Sequence, residues 1–159
     1  MKKKISILGS TGSIGENTLK ILKKDKKNID VFLLSTNTNI SKVVRQAKEF
    51  KVKNVIINDL DAYNKARLKY KKLNINFYNS FNNLDKIFKS KNDFIMSSIT
   101  GLSGLKPTLD TIKFTKNILI ANKEAIICGW SLILKELKKN KTKFIPVDSE
   151  HFSIYSLLK

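Results

Sequence analysis

Three glycines, each separated from the next by two residues, fall in the segment Gly9-Ser10-Thr11-Gly12-Ser13-Ile14-Gly15 near the start of the chain. Glycine permits a tight turn and lets backbone approach a pyrophosphate, and a helix that starts there offers unpaired N–H groups and the positive end of its dipole. Ser10, Thr11 and Ser13 add hydroxyl donors. The same glycines would also serve a plain strand-to-helix turn, so their meaning rests on what flanks them. Before them, Ile5, Ile7 and Leu8 form a short apolar run suited to a buried parallel strand. After them, Ile14, Thr18, Ile21 and Leu22 recur at i, i+4, i+7 and i+8, one face of a helix that should stop in the polar stretch 23–28. Val31 to Leu34 restores a strand, so residues 4–34 read as strand, glycine turn, helix, strand, within the ~30 residues of a βαβ crossover. A dinucleotide is the expected ligand.

The end of the second strand bears on which dinucleotide. NAD sites place an Asp or Glu there, ~20 residues beyond the glycines, to accept from the ribose 2'-OH. This chain has Ser35-Thr36-Asn37-Thr38-Asn39, with no carboxylate, and the helix that follows adds Lys42 and Arg45 but no acid near the loop. The composition favours NADP over NAD; the plainer reading is an Asn-rich loop without a ligand. Asn122-Lys123-Glu124 follows another strand at its C-terminal end, where open α/β sheets bind ligands. Lys123 could meet an anionic substrate and Glu124 a ribose or nicotinamide group; equally, the trio could be a helix start with a solvated ion pair. Asp148-Ser149-Glu150 sets two carboxylates two residues apart, on one face of an extended segment. Such a pair can hold a hard divalent cation, Mg2+ or Mn2+, or the triplet can simply cap a helix starting at Glu150. His151 is the only histidine, so no site that needs several histidines, such as a multi-histidine zinc centre, can be assembled.

The elements that must position these residues alternate along the whole chain. Helices are expected from Ile40 through Ala47, over Asp59–Lys72 with Asp59 or Asp61 as cap, over Phe81–Phe88, from Pro107 with Leu105, Leu109 and Ile112 buried, and to about Asn140 with a break at Gly129. Strands are expected at Val52–Ile57, Ile75–Tyr78, Phe94–Ser97, Ile118–Ala121 and Phe144–Val147. The fold class is therefore α/β: a Rossmann-like, doubly wound, mainly parallel sheet with helices on both faces, over residues 1–147.

Composition bounds the remaining possibilities. A chain of 159 residues with 42% hydrophobic content can bury one full core. The 31 Lys+Arg against 13 Asp+Glu give +18, which raises nucleic acid or an anionic membrane as partners. The lysines are scattered, however, with no interleaved aromatic platforms, so neither partner is expected. The single Cys128 cannot form an internal disulfide and reads as a small buried residue, consistent with a cytoplasmic location. No segment reaches the ~20 apolar residues of a membrane span.

Lys4–Gly15 (KISILGSTGSIG), Thr100–Leu109 with Gly101, Gly104 and Pro107, Ile120–Glu124 (IANKE) and Pro146–His151 (PVDSEH) together resemble, in order and separation, the N-terminal part of the 1-deoxy-D-xylulose 5-phosphate reductoisomerase family. The resemblance implies NADPH at Thr11, Gly12, Ser13 and Ile14, with Asn37, Thr38 and Asn39 at the 2'-phosphate loop, where members often carry a Gly and a basic residue that are replaced here. It also implies cofactor contacts from Asn122 and Glu124, a substrate contact from Lys123, metal ligation by Asp148 and Glu150, and substrate contacts from Ser149 and Glu150. The family reaction rearranges the carbon skeleton of a phosphorylated keto sugar, 1-deoxy-D-xylulose 5-phosphate, and reduces the resulting aldehyde with NADPH to 2-C-methyl-D-erythritol 4-phosphate in non-mevalonate isoprenoid biosynthesis. Members continue into a metal-binding catalytic domain, of which 148–159 would be the start, and are homodimers, so this chain is expected to be a fragment that binds NADPH weakly if at all and does not turn over; steady NADPH consumption with substrate and Mg2+ would overturn that. The rival classes are another Rossmann dehydrogenase of semialdehyde or homoserine type, which lacks the Asp-Ser-Glu triplet, and a basic nucleic-acid-binding module, whose affinity would fall steeply with salt.

Overall fold

The computed structural model describes residues 2–82 and 84–147. Within them, β1 (Lys3–Leu8) leads through the glycine segment into α1 (Ser13–Lys23), and β2 (Ile29–Thr36) into α2 (Ile40–Phe50). β3 (Asn54–Ile57), α3 (Leu60–Lys69), β4 (Asn76–Tyr78) and the single turn α4 (Leu84–Ile87) follow. β5 (Asn92–Ser97) runs through a 3-10 turn, Leu102–Gly104, into α5 (Leu105–Ile112), and β6 (Thr115–Ile120), α6 (Lys123–Asn140) and β7 (Lys143–Pro146) close the order. The seven strands form one sheet in the order β4-β3-β2-β1-β5-β6-β7. Every pair is parallel, from β1 with β2 and β5 out to β3 with β4 and β6 with β7.

The period-2 alternation of a strand divides the core into two layers. Ile5, Ile7, Val31, Leu34, Val55, Ile57 and Met96 face one way and pack with Leu19 of α1, Val43, Val44 and Ala47 of α2, and Ala62 and Ala66 of α3. Leu8, Leu33, Ile56, Ile95, Ile118 and Ile120 face the other way and pack with Leu84 and Ile87 of α4, Ile112 of α5, and Ile133 and Leu137 of α6. The expected helices on both faces are thus present, α1–α3 on one and α4–α6 on the other.

Several sequence expectations are corrected in detail. Gly129 does not break α6, which is continuous over 18 residues. The glycine is buried, and a Cβ there would collide with the Leu105 side chain, so it serves the close approach of α5 to α6. Pro107 is the third residue of α5, still within the first turn where its missing N–H is harmless. The fully buried residues of α5 are Thr108, Thr111 and Ile112, with the two threonine hydroxyls satisfied by helix carbonyls, while Leu105 and Leu109 are only partly buried. The helix expected over 81–88 is only Leu84–Ile87, and Cys128 is exposed. Asp59, not Asp61, caps α3, its carboxylate accepting from Ala62 N at 2.8 Å. No helix among the described residues is long and apolar enough to cross a membrane.

Candidate nucleotide-binding site

The strand order reverses direction at β1, whose neighbours are β2 on one side and β5 on the other. Open parallel sheets form a crevice at that switch point, beyond the carboxyl ends of the strands. A cleft of about 700 Å3 lies there. Gly9, Thr11 and Gly12 after β1, Ser35, Thr36 and Asn37 at the end of β2, Asn58 after β3, Ser98 to Thr100 after β5, and Lys106 of α5 line it.

The glycines shape its floor. Gly9 has φ +79°, and a Cβ on it would sit 2.9 Å from the Ser98 carbonyl oxygen. A Cβ on Gly15 would run into the Gly9 carbonyl and lie 2.6 Å from Ser10 Cα, so α1 packs directly on the loop that precedes it. Gly12 is the N-cap of α1 and no side chain caps the helix. The N–H groups of its first turn, at Ser13, Ile14 and Gly15, are left for an outside acceptor, which suits a pyrophosphate. Ser13 and Ile14 are exposed there, Ile14 at 37%.

The loop is held from below by bonds that sequence reading missed. Ser35 Oγ accepts from Gly9 N at 2.9 Å, and Thr11 and Thr36 hydroxyls share a hydrogen bond of 2.8 Å. Buried Gln46 of α2 donates to the Ser10 carbonyl at 2.9 Å and accepts from Ser10 Oγ at 2.8 Å. A polar residue on the apolar face marked by Val43, Val44 and Ala47 was the available signal. Ser98, Ser103, Asn58 and Lys106, which also line the cleft, carry no pattern that would single them out.

Asn37, Thr38 and Asn39 are exposed beside β2, and Asn39 caps α2 by accepting from Lys42 N at 3.2 Å. As expected, the first turn of α2 carries no acid, but an acid from another helix pairs with its Lys42. Glu16 of α1 pairs with Lys42 Nζ at 2.9 Å, and Lys42 also donates to the Thr11 carbonyl at 3.2 Å. The hydrogen bond from Lys42 holds the Glu16 carboxyl below its ordinary range. Asn122 is buried and caps α6, accepting from Ala125 N at 3.0 Å. Its amide donates to the Ile99 and Gly101 carbonyls at 2.6 and 2.7 Å, tying the cleft-lining 99–101 segment to the start of α6. Lys123 and Glu124 are exposed in the first turn of α6. Asp148, Ser149, Glu150 and His151 lie outside the described residues.

The parallel sheet, the glycine turn and the uncapped helix N-terminus at the switch point define a Rossmann-like α/β domain. Residues 5–129 match the family model of 1-deoxy-D-xylulose 5-phosphate reductoisomerase. The chain belongs to that family. It is 56% identical over 158 residues to the reductoisomerase of Pelagibacter ubique (strain HTCC1062), covering 98% of this chain and 41% of that protein. It is 36% identical over 164 residues to that of Clostridium tetani, again covering 98% and 41%. Among solved structures, the Zymomonas mobilis enzyme in complex with NADPH superposes with a TM-score of 0.86 at 29% identity, over 95% of this chain and 40% of that one. A reductoisomerase complex with NADPH, fosmidomycin and magnesium gives 0.85 at 30% identity, over 94% and 37%. Staphylococcus aureus homoserine dehydrogenase, at 0.53 and 16% identity, shares the fold. The chain spans about two-fifths of the length of these reductoisomerases.

Proposed function

We propose that this chain is the NADPH-binding part of an enzyme that converts 1-deoxy-D-xylulose 5-phosphate to 2-C-methyl-D-erythritol 4-phosphate with NADPH and a divalent metal, Mg2+ or Mn2+. The carrying observation is the cleft at the β1 switch point. Its glycine floor carries no side chains that would fill the space a pyrophosphate needs, and α1, whose first-turn N–H groups have no side-chain cap, starts from Gly12 on its lining. Structures at 29% and 30% identity are described as complexes with NADPH, one of them also with magnesium.

In this reading Thr11, Gly12, Ser13 and Ile14 hold the pyrophosphate, and Asn37, Thr38 and Asn39 border the adenosine ribose. The side-chain N–H groups of Asn122 are spent on the Ile99 and Gly101 carbonyls, so any cofactor contact from its side chain runs through Oδ1, as acceptor. Its larger role is to fix the 99–101 wall of the cleft. Lys123 and Glu124, solvent-facing at the α6 N-terminus, are assigned to the substrate and the cofactor respectively. Asp148 and Glu150 suit a hard cation by donor type, and Ser149 with Glu150 is assigned to the substrate, in a part that starts at 148. The metal supplies Lewis-acid polarisation of the substrate's oxygens. The full-length protein is read as a cytoplasmic homodimer that needs neither nucleic acid nor membrane.

Titrating the 159-residue chain with NADPH, following the nicotinamide fluorescence, tests the assignment. Saturable binding that Gly12→Ala weakens supports it. Binding that is absent, or that is indifferent to the glycine loop, overturns it.

A further inference from the structure

The residues that close β2 and lead into α2, Ser35 to Asn39, carry no charge, although a 2'-phosphate bound there would bring nearly two negative charges. One cation is fixed at this corner by three separate elements. Lys42 stands in the first turn of α2, its backbone N–H bonded to Asn39 Oδ1 at 3.2 Å. Its Nζ is held by Glu16 of α1 at 2.9 Å and by the Thr11 carbonyl at 3.2 Å. Thr11 in turn is bonded to Thr36 at the end of β2 at 2.8 Å. An ammonium has three N–H donors, and these contacts commit two of them. The side chain is only 27% exposed, so its position is set by its partners rather than by solvent. Arg45, one turn further along α2, is exposed and makes no ion pair among the described residues.

We propose that Lys42, positioned between Glu16 and the Thr11 carbonyl, reads the 2'-phosphate and so sets the preference of this chain for NADPH over NADH. Glu16 holds the ammonium in place before the cofactor arrives and then competes with the phosphate for it. The inference rests on the NADPH reading above and assigns the charge recognition within it. A phosphate oxygen that takes the third N–H of Lys42 gains a charge-assisted hydrogen bond that NADH cannot offer.

Dissociation constants of NADPH and NADH, measured by fluorescence on the 159-residue wild-type chain and on Lys42→Met, Lys42→Arg, Glu16→Gln and Arg45→Gln, test it. Lys42→Met should lose about 10- to 100-fold in NADPH affinity, the range of one hydrogen bond to a charged group, with NADH affinity unchanged. Lys42→Arg should restore most of the preference, Glu16→Gln should keep or raise it, and Arg45→Gln should leave it in place. Equal loss of both cofactors in Lys42→Met would mean that Lys42 only braces the Thr11 turn, and would overturn the proposal. So would an unchanged preference in that variant, or a preference that disappears in Arg45→Gln instead. A wild-type chain that binds both cofactors equally overturns the Lys42 assignment alone; one that binds neither overturns the dinucleotide reading beneath it.

Discussion

At the level of single residues the glycine segment is three different demands rather than one motif. Gly9 needs a positive φ and proximity to the Ser98 carbonyl, Gly15 needs the absence of a side chain against the Gly9 and Ser10 backbone, and Gly12 needs neither. A Cβ on Gly12 would meet only the Gly9 carbonyl, at an ordinary 3.5 Å, but it would stand at the lip of the cleft. Gly15→Ala is therefore expected to cost about 1–3 kcal/mol of stability, because backbone rather than a flexible side chain would have to move. Gly12→Ala should keep the wild-type melting temperature within a degree or two and still weaken NADPH binding by at least about tenfold, since its methyl competes with the ligand for space. Thermal denaturation beside a binding titration separates the two. A destabilised Gly12→Ala would show that the packing argument for that position is mistaken.

At the level of elements, the joint between β5 and α6 is where one side chain does most of the organising. Asn122 caps α6 and bridges two carbonyls of the 99–101 segment, one of them that of Gly101 at φ +70°. Alanine there removes the cap and leaves both carbonyls without that partner, an expected loss of about 2–3 kcal/mol. Faster amide exchange should then appear in 99–104 and at the first turn of α6, with the far strands β2 and β3 unaffected; uniform acceleration would instead indicate global loosening. Asn122 also shows what could be read in advance. Its place after a strand and before a helix was legible from the apolar runs, as were nearly all the elements, because buried parallel strands are short continuous apolar segments. Its two carbonyl partners lie more than 20 residues back, in a loop whose course no local pattern encodes. The Glu16–Lys42 pair, also far apart in sequence, was hidden for the same reason. Gly129 misled because a helical glycine signals either a break or a close contact, and only the position of Leu105 decides between them.

For the whole molecule, the charge of +18 means that the few carboxylates act as fixed points in a repulsive field. Asp93 is the best placed of them. Its Oδ2 accepts from Lys4 N of β1 at 2.9 Å and its Oδ1 from Lys116 Nζ of β6 at 2.9 Å, so one side chain of β5 ties three neighbouring strands together. The Lys116 hydrogen bond first, then the Lys4 N–H, hold the Asp93 carboxyl below its ordinary value of 3.8. Glu16 and Glu49 are held below 4.5 in the same way, chiefly by Lys42 and Lys23. A folded-state value that is depressed contributes stability above the unfolded value, and the contribution is lost as pH falls through the folded one. Stability should therefore be flat near neutrality and decline below about pH 4.5, where each proton taken up also adds to the net positive charge. Asp93→Asn should be less stable than wild type by about 1 kcal/mol at pH 7, the worth of a charge-assisted bond at a mostly covered site. The gap between the two unfolding curves should narrow once pH falls below the ordinary 3.8 and close as it passes through the depressed folded-state value of Asp93. Salt at about 0.5 M should raise both curves at neutral pH by screening the excess of lysines, while narrowing the gap between them only slightly, because the Asp93 contacts are short and partly covered. A gap that does not narrow however far pH is lowered below 3.8 would mean that Asp93 acts through its shape and hydrogen bonds, and not through its charge.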